Sequence, residues 1–202
     1  MRADDGKTTV SVGEFVGPWY AWWPGDPLPA LPALPGFAAA PVTDDAAFAT
    51  LSGLSAGEIA ARRANGDSPY LATVGGAGVG WGWSATRWLA IGELGIARDL
   101  PPGDRYLWAF ETLPDWCGRG IYPRLLRAIL RHEERDRARS WIGHDPGNDA
   151  SARGILKAGF GRVGAIHRAP GGGYLLVPDG PLDRAQIGAP LLGATVLTEE
   201  RR

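Results

Sequence analysis

Gly118-Arg119-Gly120 lies between an alternating stretch that stops at Pro114 and an apolar-striped stretch that starts at Ile121, the order of a strand running through a glycine turn into a helix. Such a turn can bind an anion. Successive backbone N–H groups point outward, the helix start carries about half a positive charge, and glycines let a phosphate approach the main chain. The lysine and hydroxyl of a G-x-x-x-x-G-K-[ST] phosphate loop are missing, and Gly118-x-Gly120 leads to Pro123 where a dinucleotide fingerprint has its next glycine. What remains is a diphosphate held mainly by backbone, or plain strand-to-helix punctuation. The second informative stretch is Asn148-Asp149-Ala150-Ser151 followed by Lys157-Ala158-Gly159-Phe160, a short helix with an asparagine cap before it and a glycine after it.

The elements around these residues follow from period and punctuation. Arg105 to Leu113 alternates, with Tyr106, Trp108, Phe110 and Thr112 on one face and Leu107, Ala109, Glu111 and Leu113 on the other. Ile121 to Arg137 reads as a helix with Ile121, Leu125, Leu126, Ile129 and Leu130 as its apolar stripe and Pro123 in its first turn. Before them come two short helices, Asp44 to Leu51 and Ser55 to Asn65, the second with the Ser55/Glu58 capping-box spacing. Tyr70 to Val74, Gly78 to Thr86 and Leu89 to Ala97 read as an antiparallel meander. Ser140 to Gly143 is a short strand, and Phe160 to His167 pairs with Tyr174 to Val177 across a glycine run. Residues 1–36 read as an aromatic and proline-rich arm docked on the body, 37–178 as one domain, and 179–202 as a tail without a clear pattern. The fold class is mixed α+β, a sheet with helices on both faces.

Composition narrows the function classes. The 202 residues carry 21 basic and 22 acidic side chains, which argues against the basic footprint of a nucleic-acid binder. The arginines Arg124, Arg127, Arg131 and Arg135 alternate with Glu133, Glu134 and Asp136, the pattern of a solvated helix face. One cysteine and three unclustered histidines supply no disulfide framework and no metal set, and a reducing, cytoplasmic setting fits. No apolar run is long enough to span a membrane, so no membrane partner is expected.

Taken together, the glycine turn and the Asn148 to Phe160 helix resemble the GNAT acetyltransferase superfamily, over about Gly36 to Val177 and most closely from Phe110 to Phe160. The resemblance implies a mostly antiparallel central sheet of about six to seven strands, helices on both faces, and two neighbouring parallel strands that splay apart. These strands would be Arg105 to Leu113 and Ser140 to Gly143. It further implies acetyl-CoA as acyl donor, its pantetheine arm along Phe110, Thr112 and Leu113. Gly118, Arg119, Gly120, Ile121 and Tyr122 would surround its diphosphate, and Asn148 and Ser151 would lie beside it. Main chain near Thr112 would polarise the thioester carbonyl. Three positions depart from the family pattern: Cys117 stands where Gln or Arg opens the turn, Tyr122 stands in place of its closing Gly or Ala, and Ile155 stands where many relatives carry a tyrosine acid. Arg119 or Arg124 can replace the lost phosphate-binding side chain.

The implied reaction is acetyl transfer to a primary amine of a small molecule by direct attack in a ternary complex, with no metal. Glu111 is the first choice for the base that takes the amine's proton, followed by Glu93 and His144. Trp81, Trp83 and Trp108, with His144, are candidates for an aromatic acceptor pocket, core packing being the other reading. Trp19, Trp22 and Trp23 are left between capping that pocket and meeting a homodimer partner. Cys117 has no histidine or acid at a diagnostic spacing, so an acyl-enzyme is not expected. Two further readings stay open: a catalytically silent CoA-binding or regulatory module, and a transferase of longer acyl groups.

Overall fold

A computed structural model describes residues 12–134 and 139–198. Along them the order is β1 (Phe15–Trp22), β2 (Phe37–Pro41), α1 (Asp45–Ser52), α2 (Ala56–Ala64), β3 (Asp67–Val74), β4 (Ala77–Ala85), β5 (Trp88–Ile91), β6 (Ile96–Asp99) and β7 (Asp104–Thr112). Then follow α3 (Ile121–His132), β8 (Arg139–Gly143), α4 (Asp149–Ala158), β9 (Gly161–Arg168), β10 (Tyr174–Pro178), α5 (Leu182–Leu192) and β11 (Ala194–Val196). One nine-stranded sheet has the order β11-β10-β9-β1-β8-β7-β4-β3-β2, and β5 with β6 forms a separate hairpin. The β7–β8 and β10–β11 pairs are parallel and the others antiparallel. The class is therefore the expected mixed α+β, with more strands than the six to seven expected. Among the described residues no helix is long and apolar enough to cross a membrane.

Helices cover both faces because the sheet is apolar on both. On one side the stripe of α3, with Leu125, Ile129 and Leu130 fully buried, packs with α4 against Tyr20, Leu107 and Ile142. On the other, α5 and the β5–β6 hairpin cover Trp19 and Trp141, and α1 and α2 place Phe48 and Ile59 on Trp81 and Trp83. Burying side chains of this size contributes roughly 1.5–3 kcal/mol each against leaving them in water.

Three regions differ from the sequence expectation. Within residues 1–36, read as an arm, Phe15–Trp22 is an interior strand between β9 and β8. Its residues are buried on both faces, Trp19 and Ala21 on one and Tyr20 and Trp22 on the other, so no alternation marks it. Pro18 survives there because the β1–β9 register slips on either side of it. The Pro-rich residues that follow are pinned across the α3–α4 side, with Pro27 O accepting from Trp22 Nε1 at 3.3 Å and Pro32 O from Arg124 Nη2 at 2.6 Å. Second, Leu89 to Ala97 is no strand of the main meander. It turns at Gly92–Leu94 into the β5–β6 hairpin, which buries Leu89 and Ile96 on α5's side and leaves β4 free to pair with β7. Third, the tail after 178 holds α5 and β11 and extends the sheet beyond β10. The helix predicted to Arg137 ends at His132, and residues 135–137 lie outside the described ones, as does the start of the arm.

The feature that positions the site is the β7–β8 pair. Its ladder holds for Asp104↔Arg139, Arg105↔Ser140 and Tyr106↔Trp141 and no further, although β7 runs on to Thr112 and β8 to Gly143. At the joined end the buried Asp104 carboxylate accepts from Arg139 Nε at 2.8 Å and from Trp141 Nε1 at 2.9 Å. Past it, β8 stays with β1 while β7 stays with β4. β7 is bent by a bulge: Trp81 faces Glu111 but Trp83 faces Trp108, and Ala109 takes φ +50°. Gly82 lacks the Cβ that would overlap the Phe110 ring, which lets that ring settle against β4.

Candidate functional site

A cleft of about 450 Å³ opens between the free length of β7 and the first turns of α3 and α4. Of the residues the sequence singled out for a donor, Phe110, Thr112, Gly118, Gly120, Ile121, Tyr122, Asn148 and Ser151 line it, and so does Glu111. Two do not. Leu113 turns to the Phe48 cluster and donates its N–H to Val79 O, and Arg119 lays its guanidinium over Trp116 at 4.9 Å.

The glycine turn is built for close approach. Gly118 and Gly120 take φ +75° and +73°, left-handed values that favour glycine, and Gly120 is the N-cap residue of α3. No side chain caps that helix. Three other helices solve the same problem internally: Asp44 accepts from Ala46 and Ala47 N–H, Ser55 and Glu58 form a capping box, and Asn148 Oδ1 accepts from Ser151 N–H at 3.0 Å, while α5, which follows Pro181, has no side-chain cap either. Arg124 is committed elsewhere, its Nη1 donating to Gly120 O at 2.7 Å and its Nη2 to Pro32 O. Cys117 directs its thiol at Thr112 O and Leu113 O, 3.5 and 3.6 Å away.

The cleft's far wall is a stripe of α4, with Ala150, Arg153, Gly154 and Lys157 facing it. Arg153 and Lys157 are exposed cations one helical turn apart; the sequence reading quoted Lys157 only as part of the motif that ends the helix, gave it no role in the site, and did not name Arg153. Their i, i+4 spacing after an asparagine cap was the available signal. The Tyr122 phenol lies 3.3 Å from Ser151 Oγ, and burial pushes it above its usual value, against the pull of that hydrogen bond.

The acceptor candidates are spread more widely. Trp81 and Trp83 are buried under α1 and α2, with Phe48 edge-on to both. The Arg62 guanidinium sits 4.9 Å from the Trp83 ring and 4.8 Å from that of Trp108. The face the sequence left open for a ligand's cation is thus covered by a side chain of α2. His144 lies just beyond β8 and outside the cleft. Its Nδ1 is 2.8 Å from Asp145 O, which can only accept, so Nε2 takes the hydrogen bond of the buried Tyr20 hydroxyl at 3.2 Å. Glu93 is exposed on the β5–β6 hairpin. Among the described residues no group of three or more His, Cys, Asp or Glu could hold a metal ion.

No protein-family model matches the chain, and comparison with curated proteins found no match. Solved structures similar to it are acetyltransferases. A GCN5-related N-acetyltransferase from Kribbella flavida is 21% identical over 73% of this chain and 54% of its own, with a TM-score of 0.44. An acetyltransferase from the GNAT family from Colwellia psychrerythraea is 14% identical over 74% of this chain and 53% of its own, at 0.49. An aminoglycoside acetyltransferase in complex with coenzyme A and kanamycin is 24% identical over 56% of this chain and 66% of its own, at 0.46. The match to each of the first two thus spans about half of that chain's length.

Proposed function

We propose that this chain transfers an acetyl group from acetyl-CoA to a primary amine of a small molecule, by direct attack of the amine on the thioester. The observation that carries the reading is the meeting, in one cleft, of a helix start with no side-chain cap and a strand length with no partner on its β8 side. Each is a deficit in an isolated fold. A diphosphate answers the first, because the N–H groups of Gly118, Gly120, Ile121 and Tyr122 and the helix dipole favour an anion there, that of Arg119 being bonded to Trp116 O, with Arg153 and Lys157 adding positive charge. An extended, amide-bearing arm answers the second by pairing along Phe110 to Thr112.

In the reaction, the new C–N bond forms as the C–S bond breaks, and the electron pair leaves with sulfur. The attacking nitrogen must lose a proton. Glu111 is exposed at the cleft wall and takes it directly or through one water, an effect worth about 100- to 10,000-fold. Holding donor and acceptor together supplies much of the remainder. The Cys117 thiol lines the cleft but donates to main-chain carbonyls, which supports a route without an acyl-enzyme.

A catalytically silent CoA-binding module is the second reading, favoured by the buried, apolar Ile155 in the cleft wall's helix. Thiol release measured over a panel of primary amines separates the two. Amine-dependent CoA production supports the transferase, and acetyl-CoA binding without it leaves the silent module. Glu111→Gln should lower kcat about 100-fold and flatten the acidic limb of its pH profile. An unchanged profile removes Glu111 from the mechanism.

A further inference from the structure

The gap beyond the β7–β8 ladder is common to both faces of the sheet, and the face away from the cleft holds unpaired groups of its own. Tyr106 stands on the last rung of the ladder, opposite Trp141. Its side chain joins the cluster under α5 and the β5–β6 hairpin, and its ring stacks on that of Trp19 at a centroid distance of 5.9 Å. Trp19 pairs with Gly143, beyond Trp141 on β8, so the Tyr106 ring leans toward the open end. Only 8% of Tyr106 is exposed, and among the described residues its hydroxyl makes no hydrogen bond. A hydroxyl so placed is costly to leave without a partner.

Two carboxylates bear on it. Glu93 sits in the Gly92–Leu94 turn of the hairpin, which Tyr174 fixes by donating its O–H to Leu94 O at 2.6 Å. Asp145 follows His144 just past the end of β8. Burial raises the Tyr106 phenol above its usual value, and the charges of Glu93 and Asp145 raise it further, so both lie within electrostatic reach. Both side chains are exposed, and among the described residues neither has an ion pair or a hydrogen bond. Oxygens from β7, the hairpin and the end of β8 thus share one neighbourhood, and none has a protein partner.

We infer that Tyr106, Glu93 and Asp145 hold a protonated amine, and that it is a second cationic group of the acceptor, which makes the acceptor a diamine or polyamine. The inference rests on the acetyl-transfer reading above. A primary ammonium has three N–H donors and a positive charge, so two carboxylates and a phenolic oxygen match it. It is not the amine that reacts. Glu111 lies five residues further along β7, about 16 Å on an extended strand before the bulge and the lean of the ring shorten it. One amine cannot occupy both places, whereas a molecule with an amine at each end spans them through the gap.

A chain-length series reads this without turnover. With CoA saturating, linear α,ω-diamines of increasing length and the monoamines of matching length are titrated into the wild type by calorimetry. Short diamines should bind like their monoamines, and binding should become about tenfold tighter than the matched monoamine once the chain spans the two places. Glu93→Gln and Asp145→Asn should each remove about threefold of that preference. Tyr106→Phe, which keeps the stack on Trp19, should remove about as much. Asp99→Asn takes a carboxylate from the far end of the same hairpin and should leave the preference intact, which separates the subsite from net charge. Equal binding of diamines and monoamines at every length overturns the subsite, and so does a preference that survives all three variants. Either result leaves the acetyl-transfer reading standing. Failure of the wild type to bind CoA overturns that reading and the acceptor assigned here with it.

Discussion

The two ends of the β7–β8 pair treat their polar groups in opposite ways. At the joined end Asp104 accepts from Arg139 and from Trp141, so a buried carboxylate, a guanidinium and an indole N–H are all partnered. At the open end the ladder stops after Tyr106↔Trp141, and the helix start that faces the gap, α3, has no capping side chain. The contrast recurs between the two helices of the cleft, since α4 begins on Asn148 and α3 on Gly120. Under the proposed function, the site is made by withholding partners next to a place where they are supplied.

The largest test of that contrast is Asp104→Ala. It leaves Arg139 and Trp141 without their acceptor in the core and should destabilise the protein by about 3–5 kcal/mol in a denaturant titration. A loss under about 1 kcal/mol would mean that the sheet, not this cluster, joins the strands. Next comes Gly120→Val. A β-branched residue at φ +73° is strained and crowds Arg124, so CoA affinity should drop at least about 100-fold by calorimetry while the circular dichroism spectrum stays native. Normal affinity would remove the diphosphate from this turn. Asn148→Ala sharpens the comparison from the other side: loss of the cap should cost about 1 kcal/mol of stability, with a smaller loss of CoA affinity than Gly120→Val.

The smallest effect concerns Asp67, a buried carboxyl raised by burial to about 6 against the pull of Arg62. Its folded-state value lies above its unfolded one, so its stability contribution is complete below about pH 4 and is lost as pH rises through about 6. Wild-type stability relative to Asp67→Asn should fall over that window and level off above it. A difference that does not change with pH would show that Asp67 stays ionised in the fold.

Features set by near neighbours in the chain were legible from sequence. The Ser55/Glu58 box, the Asn148 cap, the stripe of α3 and the glycine turn are each written within about five residues, where local hydrogen bonding and period decide the outcome. What could not be read was set by distant partners. Phe15–Trp22 is apolar on both faces because β8 and β9 flank it, and no local pattern announces that. Leu89 and Ile96 alternate like sheet residues, yet α5, nearly ninety positions later, draws them off as a separate hairpin. Within the site, Glu111 and the glycines were visible as residue types, while the commitment of Arg124 to Pro32 and the cover of Arg62 over Trp83 depend on contacts between elements far apart in sequence.

The placement of Phe15–Trp22 also bears on how the chain reaches its native state. Both of its neighbours, Arg139–Gly143 and Gly161–Arg168, are synthesised more than a hundred residues after it. A ribosome therefore exposes an indole-rich strand long before anything exists to pair with it. Such high contact order slows folding and invites association between nascent chains. Refolding from denaturant should be limited by the arrival of this first strand, with Trp19 fluorescence the last signal to become native.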